Sequence, residues 1–93
     1  MKQAVKKIED HDFIIEMRLP EKGIPSVFDA DLICIISPPY KQGDVKKFIP
    51  VLENILAQEM IKLDPKYEKK IYKSQVAEPG KIMLKTQFEL KNE

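Results

Sequence analysis

Four places along this chain carry residue types suited to chemistry. Glu9-Asp10-His11-Asp12 gathers three carboxylates around the only histidine, a donor set that a divalent cation accepts. Cys34 is the only thiol, set in the apolar run Leu32-Ile33-Cys34-Ile35-Ile36. Ser37-Pro38-Pro39-Tyr40 offers a hydroxyl and a phenol on a turn stiffened by two prolines. Lys62, Lys66, Tyr67, Lys69, Lys70 and Lys73, with Tyr72 among them, pair phosphate-neutralising ammonium groups with rings that could stack on bases.

Each has a plainer structural reading. Sequence neighbours do not converge well on one ion, and no second histidine or cysteine is at hand, so Glu9 to Asp12 reads as a solvated acidic loop and no metal is expected. Cys34 reads as an inert buried thiol, which leaves His11 without a nucleophile to activate. The lysines read as a solvated face whose tyrosine rings pack on the core. Arg18 is the single arginine and the net charge is only +1, both poor signs for a dedicated nucleic-acid protein. Nucleic-acid contact through Lys62, Lys66, Tyr67, Lys69, Lys70 and Lys73 is therefore the alternative expectation.

Asp31-Leu32-Ile33 followed by Ser37-Pro38-Pro39-Tyr40 resembles the catalytic motif of DNA amino-methyltransferases, above all the N4-cytosine type. The resemblance implies an apolar strand delivering a loop that holds the target amino group, with the Tyr40 ring stacked on a flipped base. It extends to Ser37, Pro38, Pro39 and Tyr40 alone. That family also needs a glycine-rich turn after another strand for its cofactor, and Gly23, Gly43 and Gly80 are all isolated. Its sheet is larger than 93 residues can build. The two prolines are accordingly expected to stop a strand before a helix, and neither an enzyme nor a cofactor is expected.

These residues must be held by one small domain, residues 1–93, because a chain of this length has no room for two cores. A hydrophobic content of 43% with 33% charged residues belongs to a globular chain and not to a disordered one. One cysteine excludes internal disulfides, no apolar run is long enough to span a membrane, and no signal peptide is visible, so a cytoplasmic protein is expected. Charge is divided along the chain. Glu9 to Asp31 holds seven acids against Arg18 and Lys22, net −5, whereas Lys62 to Lys85 holds seven lysines against three acids, net +4. Such halves could pair within one molecule or between subunits.

The pattern of apolar residues predicts the elements. Met1 to Asp10 is weakly patterned and reads as a frayed turn or a strand extension. Phe13, Ile15, Met17 and Leu19 alternate with Ile14, Glu16 and Arg18 as a half-buried strand, stopped by Pro20. A second strand runs from Val27 or Ala30 to Ile36. Gly43-Asp44 reads as a helix start, and Val45, Phe48, Ile49, Leu52, Ile55, Leu56, Met60 and Leu63 recur at helical spacing. Pro50 interrupts them, and one helix kinked there is expected over a helix restarted there. Asp64-Pro65 predicts a short second helix to about Lys70. Ile71 to Ala77 and Lys81 to Leu90 form a hairpin around Pro79-Gly80, expected to carry a longer loop or a bulge because Val76, Ser74 and Tyr72 suit Ile82, Leu84 and Thr86 only after a one-residue slip.

Together these predict an α+β class: a two-layer ββαββ domain, a four-stranded mixed sheet with one main amphipathic helix on one face. One helix covers one face, yet the second strand is apolar on both. Ile33 and Ile35, with Ile14 beside them, are left needing cover. The expectation is a non-enzymatic module that forms a homodimer or higher homo-oligomer through Ile14, Ile33 and Ile35, serving assembly or binding of a protein partner.

Overall fold

A computed structural model describes residues 2–8, 11–36, 46–78 and 80–91. They form the expected α+β arrangement of one helix packed on a sheet. The elements in chain order are β1 (Lys2–Ile8), β2 (His11–Arg18), β3 (Val27–Ile36), α1 (Ile49–Leu63), β4 (Tyr67–Glu78) and β5 (Lys81–Leu90). The strand order across the sheet is β1-β2-β3-β5-β4, and every neighbouring pair is antiparallel. The sheet therefore differs from a four-stranded mixed one in two respects. Lys2–Ile8 is a strand in its own right, paired along its length with β2 from Lys2 opposite Met17 to Ile8 opposite His11. Pairing wins over the weak local pattern, as strand preference depends on neighbours more than on the backbone. The helix does link two strands of the same direction, β3 and β4, but β5 lies between them and pairs antiparallel with both.

The core lies between α1 and one face of the sheet. Phe13, Ile15 and Met17 from β2, Ala30, Leu32, Cys34 and Ile36 from β3, and Ile82, Leu84 and Phe88 from β5 meet Leu52, Leu56 and Met60 from α1. Alternation along each strand puts these residues on one face because successive side chains point to opposite sides. Lys46–Phe48 form a single 3₁₀ turn ahead of the helix, and Phe48 drops into the core with its ring edge-on to Phe13, centroids 4.9 Å apart. Pro50 thus sits in the first turn of α1 and kinks nothing. A proline there lacks only an amide that the helix does not use. The capping role expected of Asp44 falls outside the described residues.

After α1 the predicted second helix is replaced by a turn. The Lys66 amide donates to the Asp64 carboxylate at 2.8 Å, and β4 begins at once with Tyr67. An aspartate that bonds the amide two residues on mimics a backbone turn and competes with helix. The β4–β5 hairpin is slipped as expected, with Val76, Ser74 and Tyr72 opposite Ile82, Leu84 and Thr86 and register shifts after Lys69 and after Val76. Gly80 has φ of +79°, the left-handed position that a type II turn gives to glycine.

Candidate interaction surface

The face of the sheet opposite α1 is built in rows by the register. Val5, Ile14 and Ile35 lie side by side across β1, β2 and β3. The next row is Gln3, Glu16, Ile33 and Met83. Then come Arg18, Asp31 and Lys85, and after them Asp29 and Gln87. The first row is wet despite being apolar: Val5 is 71% exposed, Ile14 41% and Ile35 50%. Ile33 and Met83 are half-buried beside it. Val5, Ile14 and Ile35 with Ile33 and Met83 adjoining, bordered by Gln3, Glu16 and Lys81, form an apolar patch on a face that α1 does not reach, the kind that marks a contact surface.

The polar residues of this face, beside and beyond the apolar patch, are tied to one another. Arg18 Nε lies 2.9 Å from Asp31 Oδ2, its Nη2 donates to the Asp29 carbonyl at 3.0 Å, and its guanidinium stands 5.7 Å from the Phe28 ring centroid. Gln87 donates to the Asp29 carboxylate at 3.3 Å, and Gln3 to Glu16 at 3.3 Å. In water such exposed pairs stabilise little, under about 1 kcal/mol each, so they fix side-chain positions more than they hold the fold.

The three residues expected at an interface, Ile14, Ile33 and Ile35, are thus brought together on one face. Val5 and Met83 extend the group. Neither was singled out from the sequence, Val5 because its segment lacks a pattern and Met83 because it alternates with Lys81, Lys85 and Gln87 on the polar side of its strand. The available signal was an apolar residue breaking that polar alternation.

The lysine and tyrosine segment is divided among elements. Lys62 lies in the last turn of α1 and pairs with Glu59 at 3.4 Å, while Lys69 in β4 pairs with Glu53 of α1. Lys66 is exposed in the turn between α1 and β4. Tyr67 is 4% exposed, packs in the core and donates its hydroxyl to the Pro25 carbonyl at 2.6 Å. Base stacking by Tyr67 is therefore corrected to core packing, since its ring contributes more by leaving water with its hydroxyl satisfied. Lys70 and Lys73 are placed in β4 by their backbone, and their side chains lie outside the described residues.

Cys34 is fully buried between β2 and β5, and burial pushes its thiol up to about 12. Among the described residues no three His, Cys, Asp or Glu side chains cluster as a metal site, and no helix is long and apolar enough to cross a membrane. Glu9, Asp10 and the Ser37 to Tyr40 loop fall outside the described residues, as does the His11 side chain. Comparison with protein-family models, with curated proteins and with solved structures gave no match to this chain.

Proposed function

We propose that this chain is a non-enzymatic module that binds a second copy of itself through the sheet face opposite α1, in the service of assembly. The observation that carries this is the apolar patch of exposed Val5, Ile14 and Ile35 with half-buried Ile33 and Met83 beside them, on the sheet face that no described element covers. Burial of five such side chains between two copies would remove a substantial apolar area from water, and each fully buried large aliphatic group contributes roughly 1.5–3 kcal/mol before the cost of association. A reducing compartment, the cytoplasm by default, suits a chain whose only cysteine is unpaired. Size-exclusion chromatography with light scattering over a wide concentration range tests the proposal. A dimer or larger species supports it, and a strict monomer at the highest concentration removes it.

The second proposal, nucleic-acid binding through Lys62, Lys66, Lys69, Lys70 and Lys73, has weaker support. Its aromatic partner Tyr67 is in the core, and Lys62 and Lys69 already face carboxylates. Anisotropy titration with a labelled oligonucleotide at two salt concentrations separates it: a steep salt slope promotes it, and no binding at low salt ends it.

A further inference from the structure

Two backbone hydrogen bonds at the middle of the sheet fix which way the groups on its β1 edge point. The Ile36 amide donates to the Gly80 carbonyl at 2.7 Å and the Leu90 amide to the Ser26 carbonyl at 2.9 Å, so the even-numbered residues of β3 face β5. In an antiparallel ladder each residue turns both its N–H and its C=O to one neighbouring strand, and the next residue turns to the other. Ile33 and Ile35 of β3 therefore bond Glu16 and Ile14 of β2. By the same alternation Phe13, Ile15 and Met17 of β2 bond Lys6, Ala4 and Lys2 of β1. Gln3, Val5 and Lys7 are left with N–H and C=O turned outward, along an edge that no described element pairs.

The two edges of the sheet differ. At the other edge β4 is interrupted by register shifts between Lys69 and Ile71 and between Val76 and Glu78, and α1 packs against it with Glu53 paired to Lys69. Such bulges bend an edge strand away from further pairing. β1 instead keeps one unbroken register over its seven residues, and Val5 on it is 71% exposed. A regular edge of this kind is a template for another strand.

A second β1 is the strand that fits it. Antiparallel pairing about a two-fold axis perpendicular to the sheet offers the same groups from both copies and keeps both helices on one side. Centring the pair on Ala4 sets Lys2 opposite Lys6, and centring it on Lys6 sets that lysine opposite itself. Like charges directly opposite are destabilising, and each of these registers uses only two of the three outward residues within β1. Centring on Val5 sets Gln3 opposite Lys7, Ala4 opposite Lys6 and Val5 opposite itself. All three outward residues are then bonded, with about six hydrogen bonds in all, and no lysine directly faces another.

We infer that two copies of this chain join edge to edge through β1, antiparallel with Val5 opposite Val5, into one continuous sheet. This contact is distinct from the face-to-face one proposed above, does not depend on it, and leaves the open face uncovered. It also runs the two apolar patches together, because Ile35, Ile14 and Val5 of one copy continue into Val5, Ile14 and Ile35 of the second copy.

Amide hydrogen exchange, read residue by residue by NMR in dilute and in concentrated protein, tests the pairing. In dilute protein the Gln3, Val5 and Lys7 amides should exchange fast and those of Ala4 and Lys6 slowly. In concentrated protein the first three should slow by roughly tenfold or more. Gln3→Pro removes an outward donor, keeps the β1–β2 ladder whole and spares the apolar patch, so it should abolish the slowing at Val5 and Lys7. Ile35→Lys, which alters the open face alone, should leave that slowing in place. Slowing that survives Gln3→Pro, or edge amides equally fast at every concentration, overturns the edge contact. If those amides stay fast while light scattering shows a dimer that Ile35→Lys dissociates, the edge contact fails and the face contact stands. Edge slowing in a dimer that Ile35→Lys leaves intact supports the edge contact and removes the face contact. A monomer at the highest concentration overturns both.

Discussion

Ile14 and Ile35 stand directly opposite one another across β2 and β3, on the side of the sheet away from α1, while their chain neighbours Ile15 and Ile36 are buried beneath the helix. A substitution on either side of this alternation should therefore have opposite consequences. Ile35→Lys is expected to change stability by no more than about 1 kcal/mol, since it replaces a half-exposed residue in a strand. It should abolish or strongly weaken self-association through the open face. Ile36→Lys should leave the domain unfolded, because it buries an unpaired charge. Thermal melts beside light scattering distinguish the two, and loss of folding in Ile35→Lys would refute the assignment of the open face.

Phe48 joins the 3₁₀ turn to β2 through the edge-on contact with Phe13. Phe48→Ala should cost about 3–5 kcal/mol, the usual loss for a buried phenylalanine, which is most of the stability of a domain this small. Urea unfolding checks this, and a midpoint close to the parent's would show that the turn does not hold the helix to the sheet.

Thr86 is buried on the helix face of β5, and its hydroxyl has no hydrogen-bond partner among the described residues. A buried polar group without a partner is costly, and valine keeps the shape while removing it. Thr86→Val is expected to stabilise the domain by about 1 kcal/mol, raising the melting temperature by roughly 4–8 °C. A drop instead would reveal that the hydroxyl is bonded.

Alkaline pH should unfold the protein through Cys34 and Tyr67. Burial pushes the Cys34 thiol from 9.0 up to about 12, and burial with the nearby Asp64 carboxylate raises the Tyr67 phenol above 10.0. Both groups stay protonated in the fold at a pH where the unfolded chain has ionised. Stability is thus full below pH 9 and falls from there towards about 12 as the unfolded state loses its protons first. Cys34→Ala should flatten the first part of that fall, at the cost of a small cavity. In the parent, a thiol reagent at pH 8 should react no faster than the domain unfolds.

Gly23, in the β2–β3 connection, has φ of +70°, and a Cβ built there meets nothing within 4 Å. Space is available, so only the backbone objects. Gly23→Ala should cost about 1 kcal/mol and Gly23→Asn clearly less, since asparagine tolerates the left-handed region. Equal melting temperatures for the three proteins would show that the connection rearranges freely.

Much of the arrangement was legible because period and chemistry agreed. Phe13, Ile15 and Met17 alternate, Ile82, Leu84, Thr86 and Phe88 alternate, and Leu52, Leu56 and Met60 repeat at helical spacing, and each set is found on the buried side of its element. The slip of the β4–β5 hairpin was legible for the same reason, since only one register put Val76 opposite Ile82. The errors fall where two local signals compete. Pro50 is compatible both with a kink and with a first turn, and the 3₁₀ turn at Lys46–Phe48 resolves it by letting Phe48 reach Phe13. Asp64-Pro65 is as good a turn as a helix start, and strand pairing of Tyr67 with Leu90 takes the chain out of helix. Lys2–Ile8 has no periodicity to read, and its strand exists because β2 offers it a partner.

The sequence by itself determined the buried sides of β2, β5 and the middle of α1, because alternation and helical spacing are properties of the chain and burial there follows them, although Leu63 at the end of the helical stripe is exposed. It also determined that Leu32 to Ile36 would be apolar on two sides. Which strands lie beside β3 was decided only in three dimensions. Placing β5 between β3 and β4 brings Met83 next to Ile33 and Lys85 next to Asp31, contacts between residues some fifty positions apart in the chain. No local period encodes such a pairing, since it depends on how whole strands share hydrogen bonds across the sheet. The open face, with its apolar patch, is a product of that strand order.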